Sequence, residues 1–142
     1  MKDYKSSSAF VSGLTPAVRT ATVNGTGVDR SGANAVTHVL HVGVGGITFD
    51  NTNKVEAVLE HSDDNVAFAA VAANDAIADI AVVAGVFKAF VAAHAAAAAY
   101  AVGYRGGKRY SRVRLVFSGT HGTGTATASE GILGALSVSP AV

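Results

Sequence analysis

Several residue types are scarce in this 142-residue chain, and each shortage excludes a class of protein. Cysteine is absent, which excludes a disulfide framework and thiolate metal sites and fits use in a reducing compartment. The net charge is only +1, so no strong overall field attracts nucleic acid or anionic lipid. The only prolines are Pro16 and Pro140, so no proline-rich linker divides the chain. We therefore expect a single domain over residues 1–142.

The abundant residues are apolar and mostly small. Hydrophobic residues make up 49% of the chain, which argues against global disorder. Only six Phe and four Tyr occur, Trp is absent, and much of the apolar fraction is alanine. A chain of this length buries roughly two-thirds of its unfolded surface, so one core can form without covalent staples. Close packing must come from small side chains.

Most segments alternate between apolar and polar residues, which is typical of half-buried strands. The clearest case is residues 110–118, where the alternation predicts an apolar strand face of Val113, Leu115 and Phe117 opposite a basic face of Tyr110, Arg112 and Arg114. Turn-forming Asn, Asp and Gly recur about every 8–12 residues. The pattern predicts an all-β fold, a sandwich or barrel of about eight short strands.

The alanine-rich stretch Ala92–Ala101 carries conflicting signals. Eight of its residues are alanine, the best helix former, but intrinsic propensity is a weak guide that tertiary context overrides. Residues 80–102 are long enough to span a membrane, but Lys88 would then lie inside the bilayer at a cost of ~3 kcal/mol. We expect extended strand or loop, with a helix and a membrane span as alternatives. Strand order and loop conformation within residues 67–101 stay open.

Basic and aromatic residues cluster after this stretch, around "GYRGGKRY", which the Gly106-Gly107 pair predicts to be a β-hairpin. We expect a candidate protein-docking patch here, with arginine and tyrosine as anchors for an acidic surface. Interleaved aromatic and basic residues also bind single-stranded nucleic acid on open sheets, and charge can simply guard a strand edge. The near-zero net charge disfavours nucleic acid. The patch comprises Tyr104, Arg105, Lys108, Arg109, Tyr110, Arg112 and Arg114.

No arrangement of residues predicts catalysis or metal binding. His38 and His41 are three apart, so on a strand they point to opposite faces and cannot chelate one ion. The "EHSDDN" segment has the composition of a turn. Both "GTHGTGT" and "GGKRY" lack the full spacing of a phosphate-binding loop, and no nucleophile or zinc-protease motif occurs. We expect no enzymatic activity, no metal and no cofactor.

The first eight residues, "MKDYKSSS", are polar. They lack the apolar run of a secretory signal and are predicted to form a flexible arm that becomes ordered on a partner. Its candidate contact residues are Lys2, Tyr4 and Lys5.

Several sequence patterns occur in a fixed order over most of residues 23–125. A turn and "GVD" precede the strand-like "AVTHVLHVG", "EHSDD" closes another strand, and "GYRGGKRYSRV" leads into "GTHGTGT". An "ILG" follows near the C-terminus. In this order the patterns resemble the capsid cement, or decoration, proteins of tailed bacteriophages.

This resemblance implies a jelly-roll fold and a structural protein without enzymatic activity. The implied location is the capsid exterior of the virion, after synthesis in the host bacterial cytoplasm. The implied partners are the major capsid protein, whose neighbouring subunits it would link, and a second copy of itself, as a homodimer in preference to a trimer. No membrane and no direct nucleic-acid partner is expected. A head–tail connector or tail structural protein, and a single-stranded nucleic-acid-binding β module, are the alternatives.

Overall fold

A computed structural model describes residues 4–136 of the chain, with side chains through residue 134. The described residues form twelve β-strands and two short 3-10 helices, with no α-helix among them. The 3-10 helices are Lys5–Ser7 and Ala73–Asp75. The strands are β1 (Ala9–Ser12), β2 (Ala17–Arg19), β3 (Val23–Asn24), β4 (Val28–Asp29), β5 (Ala33–Val42), β6 (Lys54–Ser62), β7 (Ala69–Ala70), β8 (Ala76–Ile77), β9 (Val86–Phe90), β10 (Ala98–Tyr104), β11 (Tyr110–Ser118) and β12 (Thr125–Leu136).

The strands pair antiparallel in two six-stranded sheets that pack as a sandwich. Sheet A has the order β1-β12-β5-β10-β8, with β2 also beside β12; sheet B has the order β3-β11-β6-β7, with β4 beside β11 and β9 beside β6. The segments β1 and β2 pair with successive parts of β12 and so form one interrupted strand. The same holds for β3 and β4 along β11, and for β7 and β9 along β6.

With each interrupted strand counted once, eight strand positions and the short β8 remain. The chain changes sheet between nearly all successive positions, which is the connection pattern of a jelly roll. The predicted all-β sandwich of about eight antiparallel strands is therefore confirmed.

The core lies between the two sheets and takes every second side chain of the long strands. From sheet A, β5 contributes Val36, Leu40 and Val42; from sheet B, β11 contributes Val113 and Leu115, and none of the five exceeds 4% exposure. Burying one such aliphatic side chain contributes about 1.5–3 kcal/mol, so a one-residue slip of register would be costly. The predicted division of β11 into an apolar and a basic face is confirmed.

The alanine-rich stretch is extended, so the expectation of strand or loop is confirmed and the helical alternative is wrong. Residues 92–97 form a loop, and β10 then pairs with β5 from Ala98 opposite Val42 to Tyr104 opposite Val36. Pairing with a central strand, together with the burial of Val102, overrides the helix propensity of alanine. Nowhere in residues 4–136 is there a helix with the length and apolar character needed to cross a bilayer.

A histidine fixes the loop before β10. The Nδ1 atom of His94 lies 2.8 Å from the Gly43 carbonyl oxygen, and its Nε2 atom lies 2.8 Å from the Tyr100 hydroxyl. A carbonyl only accepts hydrogen bonds, so Nδ1 is the donor, and in the neutral ring Nε2 accepts from the hydroxyl. Gly45 also donates its N–H to the His94 carbonyl at 2.9 Å. These bonds hold the alanine-rich loop against the end of β5.

The hairpin predicted at Gly106-Gly107 is wrong. Strand β10 belongs to sheet A and β11 to sheet B, so residues 105–109 connect the two sheets rather than two neighbouring strands. Neither glycine has a positive φ. The physical reason is that Tyr104 and Ser111, on either side of the connection, both enter the core from opposite sheets.

A tight turn of the kind expected for hairpins occurs instead at Ala84-Gly85. Their φ angles are +50° and +78°, and the Val86 N–H donates to the Val83 carbonyl at 2.9 Å. Positive φ at both central residues defines a type I′ turn. The left-handed region costs a residue with a β-carbon roughly 1–2 kcal/mol, so Ala84 is strained.

Replacing Ala84 with glycine should relieve this strain. The matched control is Ala72→Gly, because Ala72 is also exposed but has φ −69°, where glycine brings only greater freedom to the unfolded chain. We expect Ala84→Gly to be about 1 kcal/mol more stable than Ala72→Gly. Urea unfolding followed by circular dichroism measures both. Equal stability of the two variants would show that Ala84 is unstrained.

A histidine lies in the middle of the core. His38 is 1% exposed, and its Nε2 atom is 2.7 Å from the Ser111 hydroxyl of the opposite sheet. Burial lowers the pKa of His38 from 6.5 to about 4, because the charged ring would lose its hydration. His41 points out to solvent on the other side of β5, which confirms that the two histidines lie on opposite faces.

The buried ring makes stability depend on pH between the unfolded and folded pKa values of His38. Between pH 6.5 and 4 the unfolded chain binds a proton that the folded chain excludes, so the free energy of unfolding falls as the pH falls. The loss attributable to His38 is on the order of 3 kcal/mol. Chemical denaturation of the wild type and of His38→Gln at pH 7 and pH 4 measures it. A Gln variant with the same pH dependence as the wild type would contradict this assignment.

Candidate interaction surfaces

The seven residues of the predicted docking patch do not form one continuous surface. Tyr104 is only 3% exposed and belongs to the core, because β10 turns it inward opposite Val36. Its hydroxyl lies 3.0 Å from His61 Nδ1 and accepts the backbone N–H of Lys108 at 3.0 Å. Burial raises the pKa of Tyr104 and lowers that of His61. Tyr104 therefore holds the connection between the sheets and offers no surface to a partner.

The first two basic residues of the patch lie on that connection and bind polar groups of the same chain. Arg105 donates from Nε to the Asn74 carbonyl oxygen at 2.6 Å. Lys108 places Nζ 3.0 Å from an oxygen of Asp63, in an exposed ion pair. Such pairs contribute about 0–1 kcal/mol each, so a partner could displace them at little cost.

Arg109 forms a two-pronged ion pair with Asp29 of β4. Its Nε and terminal nitrogen lie 3.0 and 2.8 Å from the two carboxylate oxygens. The hydrogen bond from Arg109 lowers the pKa of Asp29. The Arg109 guanidinium also lies over the ring of Tyr110, 5.2 Å from its centroid. This end of the patch carries no net charge of its own.

The last two arginines share one buried carboxylate on the outer face of sheet B. Arg112 of β11 directs Nε and a terminal nitrogen to the same oxygen of Glu60, each at 2.7 Å, and Arg114 approaches the other oxygen at 3.4 Å. The Arg112 guanidinium also stacks 3.8 Å from the ring centroid of Phe68. The Glu60 side chain is only 8% exposed. The alternation in "KVEAVLEHS" puts Val55, Ala57 and Leu59 on one face of the strand and Lys54, Glu56 and Glu60 on the other, so it predicts Glu60 on the polar face. The burial of Glu60 and its neighbour Phe68 do not follow from this pattern.

Removing the carboxylate of Glu60 should leave two arginines without their counter-charge. We expect Glu60→Gln to reduce the free energy of unfolding by about 2 kcal/mol, since Arg112 stays partly buried. The control is Glu56→Gln, which breaks the more exposed pair with Lys54 on the same strand and should cost at most ~0.5 kcal/mol. Urea unfolding at neutral pH measures both. Equal losses of unfolding free energy in the two variants would mean that Glu60 and its arginines stabilise the fold no more than a surface ion pair does.

The residues of the predicted N-terminal arm are placed only in part. Lys2 lies outside the described residues. Tyr4 is 60% exposed, and its hydroxyl lies beside Gly134 at the end of sheet A. Lys5 begins the first 3-10 helix. Ser8 is fully buried, so the packed fold begins before the end of the predicted arm.

The outer face of sheet A is largely apolar. The buried residues of β5 fix which side chains point outward, and cross-strand partners share a face. We call this surface the apolar face. Its members are small or aliphatic side chains with one exposed aromatic: Phe10, Val18, Ile77, Ala35, Thr37, Val39, Ala99, Ala101, Ala126, Ala128 and Ile132.

Among the outward-facing strand positions of sheet A within residues 4–136, only His41 and Glu130 are ionisable. His41 and Glu130 lie side by side, with Nε2 3.6 Å from a carboxylate oxygen. A shallow hollow of about 430 Å³ opens beside His41 between Pro16, Ala98 and Ala128. Contiguous exposed apolar surface marks interaction sites in proteins. No sequence motif marked this face, although the spacing of small residues along β10 and β12 could have indicated it.

Metal ligands are not brought together in the described residues. Within residues 4–136 no group of three or more histidine, aspartate or glutamate side chains is placed to hold an ion. Asp64, one of the acidic residues of "EHSDDN", instead accepts the backbone N–H groups of Val66 and Ala67, which lowers its pKa to about 2. This confirms that the segment is a turn.

Comparison with known proteins identifies no family. No protein-family model matches the chain, and no curated protein matches it. One solved structure that aligns with it comes from work on Bacillus endospore appendages, described as a novel family of disulfide-linked pili. The alignment covers 96% of each chain at 14% identity, with a TM-score of 0.38. A likeness at this level identifies neither the family nor the function of the chain.

Proposed function

We propose that this chain is a structural virion protein, a cement or decoration protein on the exterior of an icosahedral phage capsid. It would bind the major capsid protein and link neighbouring subunits, which stabilises the shell. The jelly-roll sandwich is the fold that the sequence resemblance implies. The observation that carries the proposal is the apolar face, a broad and nearly uncharged surface on one side of the sandwich.

The chemistry of the apolar face suits adhesion rather than catalysis. Alanine, valine and threonine leave the sheet surface flat, so a large area can approach another protein closely. Burial of apolar surface contributes roughly 25 cal/mol per Å², without the directional demands of a substrate site. A few larger side chains, such as Phe10 and Ile77, stand at the edges and can fill pockets in a partner.

The opposite face is built differently and suits exposure to solvent. The outer face of sheet B carries Glu60 with its partners Arg112 and Arg114, and the ion pair between Lys54 and Glu56. These charges are balanced largely within the chain. A decoration protein needs such a division, with one surface for the shell and one for water.

A second copy of the chain is also a reasonable partner. The apolar face carries one base and one acid side by side, His41 and Glu130. In a dimer about a twofold axis, His41 of each copy would face Glu130 of the other copy. The face is therefore self-complementary. A homodimer of this kind would bury the apolar face, so a second copy would compete with the shell for the same surface.

The nucleic-acid alternative has less support from the geometry. Single-stranded nucleic acid stacks its bases on exposed aromatic rings. Of the two tyrosines in the predicted patch, Tyr104 is buried, and the half-buried Tyr110 has the Arg109 guanidinium over its ring, 5.2 Å from the centroid. Docking of protein at the cations stays a prediction, with Arg105 and Arg109 as the exposed members of the patch.

A charge placed on the apolar face should weaken shell binding. We expect Val39→Lys to reduce binding at least about tenfold, because the ammonium must be desolvated in the contact. The matched control is Val116→Lys on the outer face of sheet B. Both valines are half-buried on central strands, and each lies directly opposite a glutamate, Glu130 or Glu56, that can accept the new charge.

The measurement is the number of copies bound per capsid, on shells that the encoding virus assembles without this protein. Circular dichroism verifies that both variants fold. Loss of binding for Val116→Lys alone would place the contact on sheet B. Binding of the wild type as a single ring would indicate a head–tail connector instead, and no binding at all would end the cement proposal.

A further inference from the structure

One side of the sandwich leaves a strand edge open. Along one edge β10 pairs with β5 over its whole length. Along its other edge β8 covers only Gly103 and Tyr104. Along this second edge, no backbone hydrogen bond joins Ala98–Val102 to any other part of residues 4–136. In an antiparallel ladder every second residue directs both its N–H and its C=O away from the neighbouring strand. These groups form an unused row of donors and acceptors.

This edge lacks the usual protection. Natural edge strands are guarded by lysine, proline, bulges or inward-pointing charges, because a bare edge pairs with other chains. The exposed residues of the open stretch are Ala98, Ala99 and Ala101, which are small and uncharged. The neighbouring edge strand β9 is guarded in two ways. It has a register irregularity opposite Ala57 and Val58, and it carries Lys88.

Lys88 points into the opening between the two sheet edges. Lys88 pairs with the fully buried Ala57, so its side chain lies on the face of β9 that is turned towards the core. Its ammonium group is 4.9 Å from the ring centroid of Tyr100 on β10 and 5.8 Å from that of Phe90. No carboxylate among residues 4–136 lies within ion-pair distance of it. A hollow of about 350 Å³ between Lys88, His94 and Tyr100 adjoins this charge.

We propose that the open edge of β10 receives an extended segment of a partner protein, which adds as a further strand and directs an acidic side chain to Lys88. Main-chain hydrogen bonds would supply the binding energy, and alternate side chains the specificity. The carboxylate must lie on the core-facing side of the added strand, beside Tyr100, because the ammonium group of Lys88 lies there. This deepens the proposed function, on which it rests for the identity of the partner, since an extended arm of a capsid subunit would be such a segment.

The charge of Lys88 selects this occupant over a second copy. Pairing β10 with the β10 of another molecule about a twofold axis would bring two copies of Lys88 to the same opening. Like charges in a contact are strongly unfavourable, whereas a carboxylate there is matched.

Two synthetic peptides with blocked termini test the proposal on the full-length protein. The first is Thr-Val-Thr-Glu-Thr-Val-Thr, which places Glu and both valines on one side of a strand, and the second has Lys in place of Glu. We expect the Glu peptide to bind about threefold more tightly by fluorescence anisotropy. It should also slow amide hydrogen exchange at alternate residues of Ala98–Val102. A Glu peptide without N–H donors, made by N-methylation, should not bind.

Charge variants at Lys88 separate the ionic contribution from the backbone contribution. Lys88→Glu should reverse the preference, so that the Lys peptide binds more tightly. Lys88→Met keeps an unbranched chain against the two rings and should bind both peptides equally, which covers the case in which the Glu variant fails to fold.

The proposal would be overturned by a lack of peptide binding to the wild type, by equal binding of the Glu and Lys peptides, or by exchange protection away from Ala98–Val102. Slow exchange of these amides in the protein alone, with dimers in sedimentation, would assign the edge to a second copy and also overturn it. Peptide binding requires no capsid. Its success alongside a failure to bind shells would therefore reject the cement function and retain the strand-addition site.

Discussion

The alternation of side chains between the two faces of a strand is the constraint on which the rest of this molecule depends. Once β5 turns Val36, Leu40 and Val42 into the core, the residues between them must face outward, and the pairing with β10 and β12 extends the same choice across sheet A. The outward positions then decide what the sheet can bind. In sheet A they are mostly small and apolar, whereas in sheet B they include charged residues that pair with one another, such as Lys54 with Glu56 and Arg112 with Glu60. Two sheets with the same core chemistry thus present different surfaces.

The sequence predicted best the segments in which the two faces differ strongly. On β11, arginine alternates with aliphatic residues, so its apolar and basic faces could be assigned correctly. The same contrast in "KVEAVLEHS" placed Glu60 on the polar side of β6. Its burial could not be predicted, because that depends on Arg112 from a strand about fifty residues away and on Phe68 from a loop. The apolar face was missed for a similar reason: alanine gives little contrast between sides.

Turn signals predicted where the chain bends but not which strands the bend joins. The glycine pair at 106–107 does mark the end of β10, yet the strand that follows belongs to the other sheet. That choice is made by the core, where Tyr104 and the pair of His38 with Ser111 tie the two sheets together. The actual type I′ turn includes Ala84, a residue type that sequence rules do not associate with positive φ. Local chemistry therefore determined the elements, and long-range packing determined their connections.

The two proposed contact surfaces meet on one strand. Ala99 and Ala101 of β10 belong to the apolar face through their side chains and to the open edge through their backbone. An apolar face alone holds a partner without fixing its angle, since hydrophobic contact is non-directional. A paired edge alone fixes direction and register but buries little surface. A partner that engages both would be held firmly and in one orientation. A shell built from repeated copies needs that combination, and bulky side chains on β10 would obstruct it.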